Sequence, residues 1–592
     1  MEPDAFRPLG WGSVTLRPGE LQRRADLNRA YMLSLNSENL LQNHYQEAGL
    51  WGPRLQPVGC HWGWESPTCQ LRGHFLGHWL SAAAKRYAAT GDMEIRGKAD
   101  HIVAELARCQ RENGGEWAGS IPTQYLDWIA RGKKVWAPQY TVHKTLMGLV
   151  EMATLAGNEQ ALAVLENWAT WFHRWSGRFT RAQFDDILDV ETGGMLEVWA
   201  NLFGITGKPE HRELLERYDR PRLFDRLLAG EDPLTNMHAN TTIPEVHGAA
   251  RAWEVTGDSR WRAIVEAYWR SAVDARGYYC TGGQTNGEIW SPPHQLSARL
   301  GEKTQEHCTV YNMMRLADWL MRWTGDIRYA DYWERNLVNG ILAQQHPDTG
   351  MIAYWLPLQA GSAKQWGSPT DDFWCCHGTL VEAHTVNERS LYFEDDDGLV
   401  VSQWVPSKLA WSRGGVDVRL TQTTNPQLAE ARRPRSLAFD LELSCAQPVE
   451  FALKIRLPWW LQGTPTITVN GQPERGPFAP STLHTIRRTW SEDRISVIFP
   501  KGLSSVPLPD DPSSVAFMDG PVVLAGLCEG EQTLRSAGGD VGDLLVPHNE
   551  REWGEWEPGF RTAGQARNIR FLPLHQVRDE RYAVYFPIEH TE

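Results

Sequence analysis

Four residues in two short segments have the types that bind a metal ion. Cys375 and Cys376 are adjacent, and Glu306 and Cys308 lie in an earlier segment. Zinc takes four ligands and accepts both thiolate sulfur and carboxylate oxygen, so these groups can close on one ion. Neighbouring side chains of a strand point to opposite faces, so both sulfurs reach one ion only where the backbone turns, and Gly378 predicts such a turn. The sequence therefore predicts a zinc site.

Length, charge and the N-terminal segment limit the class of protein. The chain has 592 residues, which predicts two or three domains. Its net charge of -14 argues against nucleic acid and against an acidic membrane surface as partners. The first residues lack the pattern of a secretory signal, and no stretch approaches the roughly 20 apolar residues of a membrane span. We therefore expect a cytoplasmic protein.

The cysteine and tryptophan counts are both informative. Nine cysteines, an odd number, are scattered along the chain and do not suggest a disulfide framework. Reduced thiols can bind metal, although Cys375 and Cys376 taken alone could equally be small buried hydrophobic residues. The chain has 29 Trp against 17 Phe and 16 Tyr. Most should be core residues, but an indole exposed in a cleft can stack on a sugar ring.

A short helix-ending signature recurs through the first part of the chain. Its glycines, at intervals of 50 to 68 residues, are Gly91, Gly157, Gly207, Gly257 and Gly325. Each follows a stretch with helical apolar spacing and supplies the left-handed residue at which helices end. The intervals fit pairs of helices, and repeated hairpins of this kind can close into a toroid or form an open solenoid.

The pattern changes after residue 390. Short alternating apolar and polar runs appear, for example at 399–405, 467–471 and 495–499, separated by Pro, Gly and Asp. This patterning predicts antiparallel β-sandwiches. We therefore expect a multidomain α and β protein, with a helical domain over residues 1–390 and a β-sandwich region over residues 391–592 that contains two small sandwiches. The second region is a candidate surface for a homodimer.

Ordered motifs over residues 10–395 carry a family resemblance. They are Gly-His-Phe-Leu-Gly-His at 73–78, Ala-Pro-Gln-Tyr-Thr-Val-His-Lys at 137–144, Gly-Gly-Met-Leu-Glu at 193–197, His-Ala-Asn-Thr-Thr-Ile-Pro at 238–244, Gly-Glu at 287–288, Glu-His-Cys-Thr-Val-Tyr-Asn at 306–312, Tyr-Trp-Glu-Arg-Asn-Leu-Val-Asn at 332–339 and Phe-Trp-Cys-Cys-His-Gly-Thr at 373–379. In order and spacing the chain resembles the β-L-arabinofuranosidases of glycoside hydrolase families 127 and 146. The resemblance implies an (α/α)6 barrel followed by β-sandwiches.

The resemblance also implies roles for five residues. Glu306, Cys308 and Cys376 would bind Zn2+, Cys375 would be the nucleophile that also touches zinc, and Glu288 would be the acid/base. Coordination to zinc removes the proton of a thiol and gives a nucleophile at neutral pH. A carboxyl group that first protonates the leaving oxygen and then activates water completes a retaining mechanism.

The same resemblance places sugar contacts at His143, His238, Glu334 and Tyr354. An ion pair within its own helix is the alternative for Glu334. Next to Gly193 and Gly194 the chain lacks a histidine that some relatives carry, which leaves the identity of the sugar open. His307 and His377, beside the proposed ligands, are alternative metal ligands.

We therefore expect a zinc-dependent retaining exo-glycosidase that releases β-linked L-arabinofuranose from plant-derived oligosaccharides. One alternative is a glycosidase for a related rare pectin sugar such as aceric acid. A sugar epimerase or lyase on the same barrel would rely on other bases and would not need the cysteines. A non-catalytic glycan-binding protein with a structural zinc is the third alternative.

Overall fold

The computed structural model describes residues 4–50, 59–425, 435–548 and 559–590. Helices occupy most of the chain up to Ala383, and strands occupy most of it from Tyr392 onward. The predicted order, a helical region followed by a sheet-rich region, is confirmed. No helix in the described ranges combines the length and the apolar character needed to cross a bilayer.

The first region is built mainly from α-helices. Within the described ranges they are α1 Glu20–Ser34, α2 Ser37–Leu40, α3 Gln42–Glu47, α4 His74–Thr90, α5 Met93–Glu112, α6 Gln124–Ile129, α7 Pro138–Leu155, α8 Glu159–Ser176, α9 Arg181–Leu188, α10 Met195–Thr206, α11 Pro209–Arg217, α12 Pro221–Leu228, α13 Ala239–Thr256, α14 Ser259–Trp269, α15 His307–Thr324, α16 Arg328–Asn336 and α17 Cys375–Ala383.

The recurring glycine signature ends one helix and begins the next. Gly91 and Gly257, both with φ +72°, follow the last residues of α4 and α13 in the left-handed conformation. This confirms the predicted helix stops. The residue after each of them, Asp92 or Asp258, accepts a backbone hydrogen bond from the first turn of the following helix. Two residues therefore terminate one helix and cap its neighbour, which makes the hairpin turns short.

Six helices contact one another in a closed cycle. The order of contact is α4, α7, α10, α13, α15, α17 and back to α4. Five further helices each pack against the cycle helix that precedes them in the chain, and they are α5, α8, α11, α14 and α16. Close approach depends on small residues, because a Cβ on Gly77 of α4 would lie 1.9 Å from the backbone of Lys144 in α7. The N-terminal ends of α13, α15 and α17 meet at one end of the cycle, where the candidate site lies.

Most strands belong to the second region of the chain. In chain order, the strands of the described ranges are β1 Arg7–Pro8, β2 Val14–Leu16, β3 Thr285–Asn286, β4 Ile289–Trp290, β5 Tyr392–Glu394, β6 Gly398–Val401, β7 Ser407–Arg413, β8 Val416–Thr424, β9 Ser436–Leu457, β10 Thr466–Val469, β11 Gln472–Pro473, β12 Thr482–Pro500, β13 Leu503–Leu508, β14 Asp511–Asp519, β15 Val522–Leu527, β16 Leu534–Ser536, β17 Leu545–Pro547, β18 Phe560–Thr562, β19 Arg570–Pro573, β20 Tyr582–Ala583 and β21 Tyr585–His590.

These strands form a ten-stranded sheet, a nine-stranded sheet and the hairpin β3–β4. Alternation sets the faces of the strands: in β8, Val418 and Leu420 are buried, whereas Asp417 and Arg419 are exposed. Pairing is mainly antiparallel, but β6 pairs with β9 and β16 with β21 in parallel. Strands β1 and β2, from the start of the chain, pair with β5 and β7 of the ten-stranded sheet. Both ends of the helical region are thus attached to one sheet.

A buried ion cluster joins the helical region to the ten-stranded sheet. Arg456 of β9 is fully buried, and its guanidinium lies 2.5 Å from Asp331 and 2.8 Å from Glu334, both in α16. The indole N–H of Trp460 donates to Glu334 at 3.0 Å. Because all charged groups have partners, the cluster is stable only as a unit.

We expect Arg456→Met to destabilise the protein by about 3–5 kcal/mol, because it leaves Asp331 and Glu334 buried without a cation. Thermal unfolding measures the loss. Arg535→Met, which removes an exposed pair 3.1 Å from Glu589, is the matched control and should cost at most about 1 kcal/mol. Equal melting temperatures for the two variants would contradict a structural role for the cluster.

Candidate active site

The adjacent cysteines lie at the start of a helix. Phe373, with φ +48°, turns the chain, and Cys375 and Cys376 are the first two residues of α17. Their sulfurs lie 3.9 Å apart and face the same space. The predicted turn at Gly378 is wrong: this glycine lies inside α17, where a Cβ would collide with the ring of His78. The start of the helix, and not a glycine turn, brings both sulfurs to one side.

The second pair of candidate ligands lies at the start of another helix. Glu306 is the N-cap residue of α15, and Cys308 is the second residue of that helix. Helix N-termini carry partial positive charge and stabilise thiolates and carboxylates. Two helices of the closed cycle therefore present four ligand groups from their N-terminal ends.

The four groups are close enough together to hold one metal ion. One ligand atom each from Glu306, Cys308, Cys375 and Cys376 lies within 4.8 Å of the others. Cys308 Sγ lies 3.3 Å from Cys376 Sγ, and Cys375 Sγ lies 3.6 Å from Glu306 Oε1. Tetrahedral zinc with ordinary bond lengths holds its sulfurs about 3.8 Å apart, whereas a disulfide requires about 2.05 Å. The arrangement fits a metal site.

Contacts within the cluster favour Cys375 as the thiolate. Burial raises the pKa of the Cys375 thiol, but its side-chain contacts with Cys308, Cys376 and Tyr354 lower it more, and the pKa lies well below its usual range. Burial and the charge of Cys375 raise the pKa of Glu306. The negative charge of the cluster is therefore concentrated on the Cys375 sulfur.

Glu288 occupies the tip of a hairpin that faces the cysteines. Strands β3 and β4 are joined by Gly287 and Glu288, which both have positive φ, +60° and +67°. This is the backbone of a type I′ turn, and its left-handed conformation costs roughly 1–2 kcal/mol at a residue other than glycine. The Glu288 side chain holds this tip in place. Its carboxylate accepts a hydrogen bond from the Tyr354 hydroxyl and lies 3.3 Å from His238 Nε2.

His238 is the N-cap residue of α13. Its Nδ1 accepts the backbone N–H of Thr241 at 3.1 Å, so a neutral ring carries its proton on Nε2, beside Glu288. Burial lowers the pKa of His238, but the hydrogen bond with Glu288 and the charge of Glu191 outweigh this and raise the pKa above its usual value. His238 is thus suited to donate a proton toward the Glu288 carboxylate.

Tyr354 links the two predicted catalytic groups. Its hydroxyl lies 3.4 Å from Cys375 Sγ and donates a hydrogen bond to Glu288. With a normal O–H···O length of about 2.8 Å, the sulfur and the carboxylate are at most about 6 Å apart. Burial, together with the charges of Cys375 and Glu306, raises the pKa of Tyr354, so its hydroxyl remains a neutral donor. Retaining glycosidases hold their two catalytic carboxyl groups about 5–5.5 Å apart.

A cavity of about 140 Å³ lies among these groups. Cys375, Glu288, His238 and Tyr354 all line it. Several lining residues lie outside the predicted set, and they are Trp64, Trp136, Tyr140, Lys144, Glu191, Asn240 and Asn312. The structure therefore brings together seven predicted residues, namely Cys375, Cys376, Cys308, Glu306, Glu288, His238 and Tyr354.

Two of the residues missed by sequence analysis are polar and central. The Asn240 side chain donates to Glu306 at 2.6 Å and fixes the orientation of that ligand. Burial raises the pKa of Glu191, which faces the same cavity. Asn240 lies within the motif at 238–244 and Glu191 lies two residues before the motif at 193–197, so position beside the motifs was the available signal.

Two predicted sugar contacts lie elsewhere. Glu334 is not among the cavity residues, and its carboxylate is engaged by Arg456 and Trp460, contrary to the predicted contact. His143 is 2% exposed and lies under the glycine pair, where a Cβ on Gly194 would lie 2.5 Å from its ring. Packing by the chain itself therefore keeps both side chains from the cavity.

The alternative metal ligands also have other partners. His307 Nδ1 lies 2.8 Å from the Thr379 hydroxyl. His377 Nε2 lies 3.0 Å from the carbonyl oxygen of Ser368. Among the described residues, the group that can hold a metal ion contains neither histidine.

Comparison with known proteins identifies the family. A family model described as beta-L-arabinofuranosidase, GH127 catalytic domain, matches residues 13–388. The chain belongs to the GH127 family. A second GH127 model, the middle domain, matches residues 398–501. The chain is therefore a glycoside hydrolase, and the predicted family resemblance is confirmed.

Individual members of the GH127 family resemble the whole chain. A non-reducing end β-L-arabinofuranosidase from Bifidobacterium longum subsp. longum is 24% identical over 510 residues, which cover 75% of this chain and 74% of that protein. The structure of a GH127 β-L-arabinofuranosidase from Geobacillus stearothermophilus T6 matches with a TM-score of 0.73 and 17% identity, over 97% of this chain and all of that one. A GH127 β-arabinofuranosidase matches with a TM-score of 0.72 and 16% identity, over 99% and 98%. These structures share the fold.

If the four-residue cluster binds zinc, elemental analysis of the purified protein should give one zinc per chain. Cys308→Ser and Cys376→Ser should each lose most of this metal on dialysis, because three ligands hold zinc more weakly than four. Cys528→Ser, a thiol change in the nine-stranded sheet region, is the control and should keep it. Full metal content in all three variants would place the metal elsewhere.

Proposed function

We propose that the protein is a zinc-dependent retaining exo-glycosidase that removes a β-linked L-arabinofuranosyl unit from the non-reducing end of plant-derived oligosaccharides. One observation carries this proposal: the Cys375 thiol and the Glu288 carboxyl group contact the same Tyr354 hydroxyl across one cavity. Membership of the GH127 family supports the sugar and the linkage. The small cavity, about 140 Å³, supports action on one terminal unit.

Zinc, when bound by Glu306, Cys308, Cys376 and Cys375, would keep the Cys375 sulfur deprotonated and would make it a better leaving group. In the first step the sulfur attacks the anomeric carbon and forms a carbon–sulfur bond. Glu288 donates its proton to the glycosidic oxygen as the carbon–oxygen bond breaks. The aglycone then leaves as an alcohol, and the sugar remains on Cys375.

In the second step the Glu288 carboxylate accepts a proton from a water molecule. The water oxygen attacks the same carbon, the carbon–sulfur bond breaks, and the thiolate is regenerated. Two displacements at one carbon return the original configuration. His238 donates toward Glu288 while Glu288 is a carboxylate, so it stabilises the form that activates water.

Sugar hydroxyl groups would be held by residues around the reacting carbon. His238 and Tyr354 remain in this role from the predicted set, and Glu191 and Asn240 extend it. Glu191 has no hydrogen-bond partner among the described residues, so its carboxylate is available to accept from a hydroxyl. Trp64 offers apolar surface for the ring of this sugar.

We also infer that the closed cycle of helices is the inner layer of an (α/α)6 barrel. In this division the barrel occupies residues 1–390 and carries the site, and residues 391–592 form two β-sandwiches. The change from helices to strands near Tyr392 supports the boundary. The ten-stranded and nine-stranded sheets share no strand, which supports two separate β-rich units.

Removal of either catalytic group should stop turnover for different reasons. Cys375→Ser should abolish release of nitrophenol from nitrophenyl β-L-arabinofuranoside, because an alcohol is a far weaker nucleophile than a thiolate. Glu288→Gln should slow it about 10²- to 10⁴-fold. Proton NMR of the native reaction should show the β-anomer as the first product.

Cys445→Ser, a thiol change in β9, is the matched control and should turn over normally. Undiminished activity of Cys375→Ser would exclude the thiol mechanism. An α-anomer as the first product would exclude retention.

The pair His238 and Glu288 should shape the pH dependence of turnover. The pKa of His238 is raised. The His238–Glu288 pair therefore loses its last shared proton at a higher pH than an isolated histidine would lose its proton. We expect His238→Asn to move the basic limb of the kcat/KM profile to lower pH. His173→Asn, in an exposed pair with Glu213, should leave the profile unchanged. An unmoved basic limb in His238→Asn would show that another group controls it.

A further inference from the structure

An open groove of about 860 Å³ adjoins the catalytic cavity. Residues 129–136, which follow α6, form one side, and residues of α9 with Val190 form the other. Trp136 lines both the groove and the cavity. In three pairs of consecutive residues the first lines the groove and the second lines the cavity, and these pairs are 70–71, 136–137 and 190–191. Groove and cavity therefore lie side by side, with Trp136 between them.

The loop on one side of the groove is basic. Arg131, Lys133 and Lys134 are exposed and line the groove. None of the three forms an ion pair with any residue that the structure describes. The groove contains one acidic residue among the described positions, Asp186, and this lies 2.8 Å from Arg222. The net charge of the whole chain is -14, so three cations within four residues, none of them in an ion pair among the described residues, are a local exception. Lys133 also lies 5.2 Å from the centre of the Trp128 ring.

The loop is held in place by its own contacts. The backbone N–H of Trp136 donates to Gln70 at 2.7 Å, and Gly132, with φ +73°, forms the turn. The ring of Trp136 meets that of Trp64 edge-on at 5.0 Å. Trp136 is nevertheless 48% exposed. An indole that is held by a neighbouring ring and is half exposed is a surface on which a sugar ring can stack.

We propose that this groove binds the leaving-group side of the substrate and selects an acidic oligosaccharide that carries uronic-acid carboxylates. The inference rests on the proposed function, since the groove extends from the same cavity. Trp136 stacks on the sugar next to the cleaved bond, and Arg131, Lys133 and Lys134 face the carboxylates of the following sugars. The unpaired cations gain counter-charges on binding, whereas a neutral glycan offers them none.

The positive charge of the groove also attracts an acidic substrate before the two are in contact. The cations lie at the surface, where a Debye length of about 8–10 Å at ordinary ionic strength leaves their attraction effective at short range. Association of an acidic substrate should therefore fall with added salt, and association of a neutral one should not. This difference separates electrostatic selection from simple stacking on Trp136.

The test compares three substrates that share one terminal sugar. They are an arabinofuranosyl-capped trigalacturonate, its methyl ester and nitrophenyl β-L-arabinofuranoside. We expect kcat/KM of the acid to exceed that of the ester and to fall with salt. The double change Lys133→Gln and Lys134→Gln should lower kcat/KM of the acid about two- to twentyfold through KM, since each exposed pair contributes a small factor. Turnover of the nitrophenyl compound should not change.

Two controls separate charge from stacking. Lys408→Gln removes one lysine charge at an exposed position of β7 and should leave all three substrates unaffected. Trp136→Ala should weaken the acid and the ester alike. Equal kcat/KM and equal salt dependence for acid and ester would overturn the inference, even if the nitrophenyl compound is hydrolysed normally.

A binding measurement keeps the inference independent of turnover. Calorimetry should show uncapped trigalacturonate binding to the native protein, with loss of this binding in the double lysine variant. Binding of the methyl ester with equal affinity would overturn the inference. If the nitrophenyl compound is not hydrolysed but trigalacturonate binds in this charge-dependent way, the proposed function fails and the inference about the basic groove stands.

Discussion

The meeting of two helix N-termini is the constraint on which the site depends. Helices α15 and α17 each begin with two groups that become anionic, and these beginnings face one another. Thiolates and carboxylates at such short distances repel, and Glu306, Cys308 and Cys376 are buried away from water. The partial positive ends of both helices offset part of this cost, and a divalent cation would offset much more. The closed cycle of helices is what holds the two beginnings in register.

Opposite this anionic cluster, a strained backbone positions one carboxylate. Glu288 takes a left-handed conformation at the tip of a two-residue turn, where glycine would be free of strain. Tyr354 contacts both sides, so its length sets the gap between thiol and carboxylate. Rigid helices carry the cysteines, and a short hairpin carries the Glu288 carboxylate. The distance between the Cys375 thiol and the Glu288 carboxylate is therefore set by one aromatic side chain, that of Tyr354.

Residue types predicted much of the site, and packing explains the rest. Cys375, Cys308 and Glu306 were predictable because few other side chains bind zinc. Glu334 was misassigned because its partner, Arg456, lies 122 residues later in a strand, and no local pattern pairs them. His143 was misassigned because the glycine pair packs directly on its ring. The positions at which helices end could be predicted from the glycine signature. The pairing of β1 and β2 with a distant sheet could not, because strands of two and three residues are too short to show a pattern.

That entry has a consequence for synthesis of the protein in the cell. Arg7 pairs with Glu394, so the first strand finds its partner only after nearly the whole helical region has been made. At ribosomal rates of about 5–20 residues per second, the leading segment waits on the order of 20–80 s without its neighbour. During that interval the nascent chain carries an unpaired β edge, which is a site for association with other chains. Chaperone protection of this strand during synthesis would therefore affect yield.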